Sequence, residues 1–334
     1  MRRRGMKDIA RAAGLSLSTV DRVLNNRGLA RSATAERVLG IAAELGYLPG
    51  NGLVGSGRHR FDVVIPAGGN TFLDRLSAAF EAAAARRADE ITLHVRRIPS
   101  FAVSELCNAL DEITLSDGVG VIALDHPLVC DALKRLRDRD IPVATLVSDV
   151  PGIDRIGFVG VDNRAAGRLA GQLIHRFVRT AGTVAIFRGS PSYRGHEERE
   201  NGCRAILAEL APAMQVVLAE ETRDQVEASR VAMLNLIERY PELVAVYNVA
   251  DGNPGIVAAL VEAGRAKDVV FVAHELSDVA RASLIAGTLD AVIDQDVTEE
   301  AEKLLTLLTR NADGLEIETV PRVHNRVFFS ENLP

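Results

Sequence analysis

From Phe61 onward the chain repeats one alternation: a short, uninterrupted apolar run, then an amphipathic stretch rich in Ala, Leu, Glu and Arg. The runs at 62–66, 91–95, 120–124, 143–146, 183–187, 216–219, 245–248, 269–273 and 291–293 are too short for buried helices and read as strands, with 323–329 as a last one. Stretches 73–87, 164–179 and 197–210 carry helical spacing between them. Strands that are apolar on both faces need helices on both faces, so the expectation is parallel sheets in an α/β architecture. About nine strands exceed what one small doubly wound sheet holds, which predicts two lobes.

The first sixty residues are built differently. Ile9, Ala10 and Ala13 make one apolar helical face, Gly14 breaks it, and Ser16 offers a side-chain oxygen as the cap of a second helix. That helix carries Thr19, Val20, Val23 and Leu24 and ends at Asn25-Asn26. A third stretch, 35–45, places Val38, Leu39, Ile41, Ala42 and Leu45 on one side before Gly46. Two helices joined by a tight glycine turn form a helix-turn-helix, whose second helix fits the major groove of DNA. Charge agrees: residues 1–60 hold eleven basic against four acidic side chains, a net +7, while the whole chain is −6, so the remainder carries −13. A basic head on an acidic body implies that the head alone approaches a polyanion. Between them, residues 49–57 contain four glycines, the composition of a linker. The expected division is a head at 1–49, a glycine-rich hinge at 50–60 and a body at 61–334.

The head's wording, D-I-A-x-x-A-G-L-S-x-x-T-V-x-R-V-L-N from Asp8 to Asn25 and then Glu44-Leu45-Gly46-Tyr47-x-Pro49, closely resembles the LacI/GalR family of bacterial transcription regulators. The resemblance implies roles at matching positions. Leu17 and Ser18 stand where the family varies its base readers, and Arg22 where an arginine forks onto guanine. Ser16, Thr19 and Asn25 match phosphate contacts, which set register rather than sequence. Two departures stand out. Asp21 replaces a serine common at that place, and Ser56 sits in the slot of a leucine that wedges into the minor groove, leaving Leu53 or Val54 as candidate wedges.

The same family joins its head to a two-lobed, type I periplasmic-binding-protein-like domain, and residues 61–330 resemble that layout. The implied lobes are about 61–160 with 293–319, and 161–292 with 320–334. Effector contacts implied by position are Asn70 and Phe72 after the first strand, Ser148 and Asp149 after the 143–146 strand, and Arg199 in Arg-x-x-Gly202. Asn248 and Asp251, His274 and Glu275, and Gln295 follow at three later strand ends. Each also fits a plainer role: Asn70 as a helix cap, Asp149 as a strand end, Arg199 paired on the surface with Glu197 or Glu198, His274 as a core histidine. Acids and amides together suit a hydroxyl-rich effector, a sugar, polyol or sugar acid, more than a purine. With no Trp in the chain, Phe72 and Phe187 are the nearest stacking surfaces.

Catalytic signatures fail. His196-Glu197 and His274-Glu275 begin H-E-x-x-H, but Glu200 and Asp278 occupy the second histidine's place, so no zinc pair forms. Neither a G-x-S-x-G elbow nor a phosphate-binding G-x-x-x-x-G-K-[ST] loop is present. No cofactor or metal is expected. No apolar run approaches the roughly 18 residues of a membrane span. The start, Met1-Arg2-Arg3-Arg4, leads into charged residues with no apolar segment behind it, and Cys107, Cys130 and Cys203 form no C-x-x-C pair, so a cytoplasmic chain with reduced thiols is expected. The reading is therefore a non-enzymatic, effector-controlled regulator, a homodimer on a near-palindromic operator. No heptad tail follows the last strand to build a larger coiled-coil assembly. The competing readings are a solute-binding module without a regulatory role, and an α/β enzyme with an added DNA-binding head.

Overall fold

A computed structural model describes residues 6–24, 34, 37–38, 40–42, 53–54, 59–66, 71–100, 102–150, 152–188, 193–222, 224–317 and 322–334. In the head, α1 (Met6–Ala13) and α2 (Leu17–Leu24) are joined through Gly14, whose φ of 63° is the left-handed conformation a tight turn requires. The described positions within 34–42 are helical and form α3. Ile9, Ala10, Ala13, Val20, Val23, Val38 and Ala42 close into a small core, as the spacing predicts.

Among the described residues the body contains two six-stranded sheets. The first holds β1 (Leu53–Val54), β2 (His59–Pro66), β3 (Ile91–Ile98), β4 (Gly118–Val121), β5 (Val143–Leu146) and β6 (Gly157–Val159), in the order β1-β3-β2-β4-β5-β6. The second holds β7 (Thr183–Phe187), β8 (Gln215–Leu218), β9 (Leu243–Asn248), β10 (Val270–His274), β11 (Ala291–Gln295) and β12 (Asn325–Phe328), in the order β12-β11-β10-β9-β7-β8. Each sheet is parallel except for one antiparallel edge strand, β1 against β3 and β12 against β11. Without those edges both sheets follow one doubly wound order, second strand, first, third, fourth, fifth. Such a sheet opens a crevice at the carboxyl ends of its strands, where the order reverses.

Helices α4 (Thr71–Arg86), α5 (Val103–Asp111), α6 (Pro127–Arg137) and α12 (Val297–Ala312) bury their apolar faces with the first sheet. The second sheet is covered on one side by α7 (Asn163–Phe177) and α8 (Arg194–Leu210), and on the other by α9 (Val226–Arg239), α10 (Asn253–Glu262) and α11 (Asp278–Ala286). The chain crosses between lobes after β6, after β11 and again before β12, and the second crossing follows Gln295 rather than residue 292. On its return α12 sits over β4, where Gly118 and Gly120 leave room: an added Cβ would come within 2.9 Å of Leu308 and 2.4 Å of Leu304.

Three readings of the sequence change here. The 120–124 run is a strand only over Gly118–Val121, because its pairing with β2 begins at Phe61–Gly118. Two strands were not legible: β6 has three residues, two of them half exposed, and β1 has two. The expected hinge at 50–60 is partly claimed by the body. Leu53 and Val54 pair with His94 and Leu93, and His59 and Arg60 open β2. Leu53 and Val54 thus form an edge strand of the first sheet. Residues 50–52 and 55–58 lie outside the described residues.

Candidate functional site

The carboxyl ends of the strands from both sheets face one cleft of about 600 Å³, including space open to solvent. From the first lobe come Phe72 and Leu73 on α4, Ile122 after β4, and Val147 and Ser148 after β5. Asn163 heads α7, and Tyr193, Gly195, His196 and Arg199 lie on or just before α8. The second lobe adds Asp224 after β8, Ala250 and Asp251 after β9, Glu275 after β10 and Gln295 at the end of β11.

Backbone conformation marks the same place. Four described non-glycine residues have positive φ, and three of them line the cleft: Val147 (61°), Asp224 (61°) and Glu275 (67°). Each costs about 1–3 kcal/mol and persists only where surrounding structure imposes it. At Val147 the Ser148 N–H turns back to the Leu146 carbonyl, a three-residue turn that aims Ser148 into the cleft.

Arg199 is the fixed cation of the site and only 5% exposed. Its Nε donates to Asn163 Oδ1 at 2.8 Å and its Nη1 to the Val249 carbonyl at 2.9 Å, while Nη2 stands 3.9 Å from Glu275 Oε1. Close helix packing places it: a Cβ at Gly167 would meet the Arg199 carbonyl oxygen at 1.9 Å, and one at Gly202 the Arg164 carbonyl at 2.3 Å. Gln295 Nε2 donates to Glu275 Oε1 at 2.8 Å. Burial first, then the Asp294 charge, pushes the Glu275 carboxyl well above the ordinary range, against the pull of Arg199. The site therefore holds Glu275 toward its neutral form, able to donate as well as accept. Among the described residues, four buried polar atoms on the lining have no protein partner: Ser148 Oγ, Asp224 Oδ1, Glu275 Oε2 and Gln295 Oε1. Leaving such groups unmatched costs about 1–3 kcal/mol each, which a ligand offering hydroxyls would recover.

Of the effector contacts expected from sequence, Phe72, Ser148, Arg199, Asp251, Glu275 and Gln295 come together on this cleft. Three do not. His274 is 2% exposed, its Nε2 lies 2.7 Å from the Tyr247 hydroxyl, and burial holds it well below its ordinary pKa, so it is a neutral core histidine. Asn248 donates to the Asp251 carbonyl and to Asn253 Oδ1, fastening the loop that presents Asp251. Asp149 accepts from Thr145 and Arg155 and faces a neighbouring depression instead. Asn70 lies outside the described residues. Asn163, Tyr193, His196 and Asp224 escaped the sequence reading: they sit on connections or first helical turns, where no periodicity points inward. Asn163 alone had a cue, the Asp162 cap that accepts from the Ala165 N–H.

In the head, Ser16 caps α2 by accepting from the Thr19 N–H at 3.1 Å, and its Oγ also lies 2.8 Å from Thr19 Oγ1. Ser16, Leu17 and Ser18 are exposed at the start of α2, and Thr19 is half-buried. The Arg22 side chain and Asn25 lie outside the described residues.

Residues 61–316 match the periplasmic binding protein domain, and residues 5–50 match the bacterial regulatory proteins of the lacI family. The chain belongs to the periplasmic binding protein domain family and carries a lacI-family DNA-binding domain at its head. Among relatives, the HTH-type transcriptional regulator DegA of Bacillus subtilis (strain 168) is 24% identical over 276 residues, 78% of this chain and 77% of its own. The ribose operon repressor of the same organism is 22% identical over 319 residues, 90% of each chain. In fold the body resembles GanP, a glucose-galactose binding protein from Geobacillus stearothermophilus: TM-score 0.76 at 20% identity, covering 84% of this chain and all of that one. The chain is thus a DNA-binding regulatory protein whose body has the fold of small-molecule binding proteins. Among the described residues no helix is long and apolar enough to cross a membrane.

Proposed function

We propose that this lacI-family protein is a repressor whose operator affinity is set by a sugar or polyol bound between the lobes. One observation carries the reading: unpartnered buried polar atoms from both lobes converge on one cleft in a chain that also presents a helix-turn-helix. The names of relatives, a ribose operon repressor and a glucose-galactose binding protein, support the effector class. We read the body as a binding domain rather than a catalyst, since relatives are named as regulators, repressors and sugar-binding proteins and the catalytic motifs sought in the sequence fail. Within this proposal the protein is cytoplasmic and acts as a homodimer, so that two heads meet two half-sites of a near-palindromic operator.

The test is a thermal-shift screen of the full chain against sugars, polyols, sugar acids, sugar phosphates and purines, with Gln295→Ala alongside. A true effector at about a hundred times its dissociation constant adds roughly 2.7 kcal/mol, a clear rise in the midpoint. The expected result is a hit among the hydroxyl-rich compounds that weakens or vanishes in Gln295→Ala. A purine hit, or a sugar hit indifferent to Gln295, would overturn the assignment.

A further inference from the structure

The charge inside the cleft is lopsided. Among the described residues, three carboxylic side chains line it, Asp224, Asp251 and Glu275 (the last held toward its neutral form), against one guanidinium, Arg199, and the imidazole of His196. Arg199 is already committed to Asn163 and Val249 and leans toward Glu275. Asp224 and Asp251 stand together, the Asp224 carboxyl accepting a hydrogen bond from the Asp251 backbone N–H. Asp251 Oδ1 accepts the Gly252 N–H at 2.8 Å, whereas Asp224 Oδ1 is buried with no partner. Burial and the Asp251 charge raise the Asp224 carboxyl to about 6, and burial raises Asp251 as well; among the described residues no cation offsets either shift. Tyr193, its ring buried on the cleft wall, is close enough to feel the Asp224 charge. Two carboxylates beside the buried Tyr193 make a seat for an ammonium group, which ion-pairs with the acids and lies against the tyrosine. An anionic ligand would meet repulsion there.

We propose that the effector carries a primary ammonium seated against Asp224, Asp251 and Tyr193, on a hydroxyl-rich frame held by Arg199, Glu275 and Ser148: an amino sugar or amino polyol, and not a sugar acid or sugar phosphate. This rests on the reading of the cleft as a sugar site and narrows it.

Isothermal titration calorimetry of the full chain tests it with D-glucosamine, D-galactosamine, D-mannosamine and glucamine. Each is run beside its uncharged hydroxyl counterpart, its N-acetyl derivative and the matching sugar acid. At least one amine should bind at least about tenfold more tightly than its three counterparts, the size of a charge-assisted contact. In Asp224→Asn that amine and its uncharged counterpart should bind with the same affinity. An uncharged sugar, N-acetyl sugar or sugar acid that binds as tightly as the amine overturns the ammonium seat and leaves the sugar site standing. An amine preference untouched by Asp224→Asn also overturns the seat. Silence from every compound overturns both.

Discussion

Asp224 combines positive φ, a buried oxygen without a partner and a carboxyl raised from 3.8 to about 6. Between those two values the folded chain keeps a proton that the unfolded chain releases, so stability falls as pH rises through that window. Asp224→Asn removes the titration. Without ligand, the melting curves of variant and wild type should coincide near about pH 4 and separate by about 2–3 kcal/mol, variant above wild type, by about pH 7. A constant offset across that range would show that Asp224 is not held toward its neutral form. In the head, Arg22→Ala should weaken operator binding by about 1–3 kcal/mol and relax one base position, with binding to random DNA little changed. Fluorescence anisotropy on both DNAs checks it, and equal losses on the two would refute base reading. Residue by residue, the sequence placed Gln295, the last residue of β11, on the cleft, where the structure also has it. It misplaced Asn248 and His274. In Asn248 and His274 the polar side chain turns into the core, because neighbouring residues on a strand face opposite ways and only the structure shows which faces out.

Elements place these residues. The contact of α7 with α8 runs through Gly167 and Gly202, and their lack of Cβ lets the helix backbones touch where Arg199 leaves α8. Gly167→Ala should push the helices apart, lowering stability by about 1–3 kcal/mol in denaturant melts and weakening effector binding through displaced Arg199. Unchanged stability would show that the helices do not pack as described. The strands that resisted sequence reading are edge strands. Burial on both faces makes a central strand such as β5 or β7 an apolar run, whereas the short edge strand β6, half exposed at two of its three residues, carries no such pattern. Strand β1 was hidden for another reason: Leu53 and Val54 sit among glycines whose composition signals a linker, and only pairing with β3 gives them a place in the sheet.

At the scale of the molecule, few direct bonds join the lobes among the described residues. Arg75 on α4 donates to the Leu276 carbonyl at 3.2 Å and stands 3.7 Å from Asp294, and Asn163 donates to the Val147 carbonyl at 3.4 Å. A ligand that ties Ser148 to Glu275 and Gln295 would add to these few links, and so bias how the lobes sit. It can alter DNA affinity only by binding the two arrangements unequally. The two-part organisation was legible from charge and composition alone, a head of +7 on a body of −13. The coupling between the parts was not, since it depends on contacts between residues far apart in the chain. The most direct test takes a DNA fragment selected in vitro by the full chain and measures its affinity by fluorescence anisotropy, with and without the sugar or amino sugar that gives the largest thermal shift. The account predicts a change of at least about tenfold, or roughly 1.4 kcal/mol of coupling, that Gln295→Ala abolishes while leaving DNA affinity without sugar intact. A sugar that binds in the cleft yet leaves DNA affinity unchanged would contradict it.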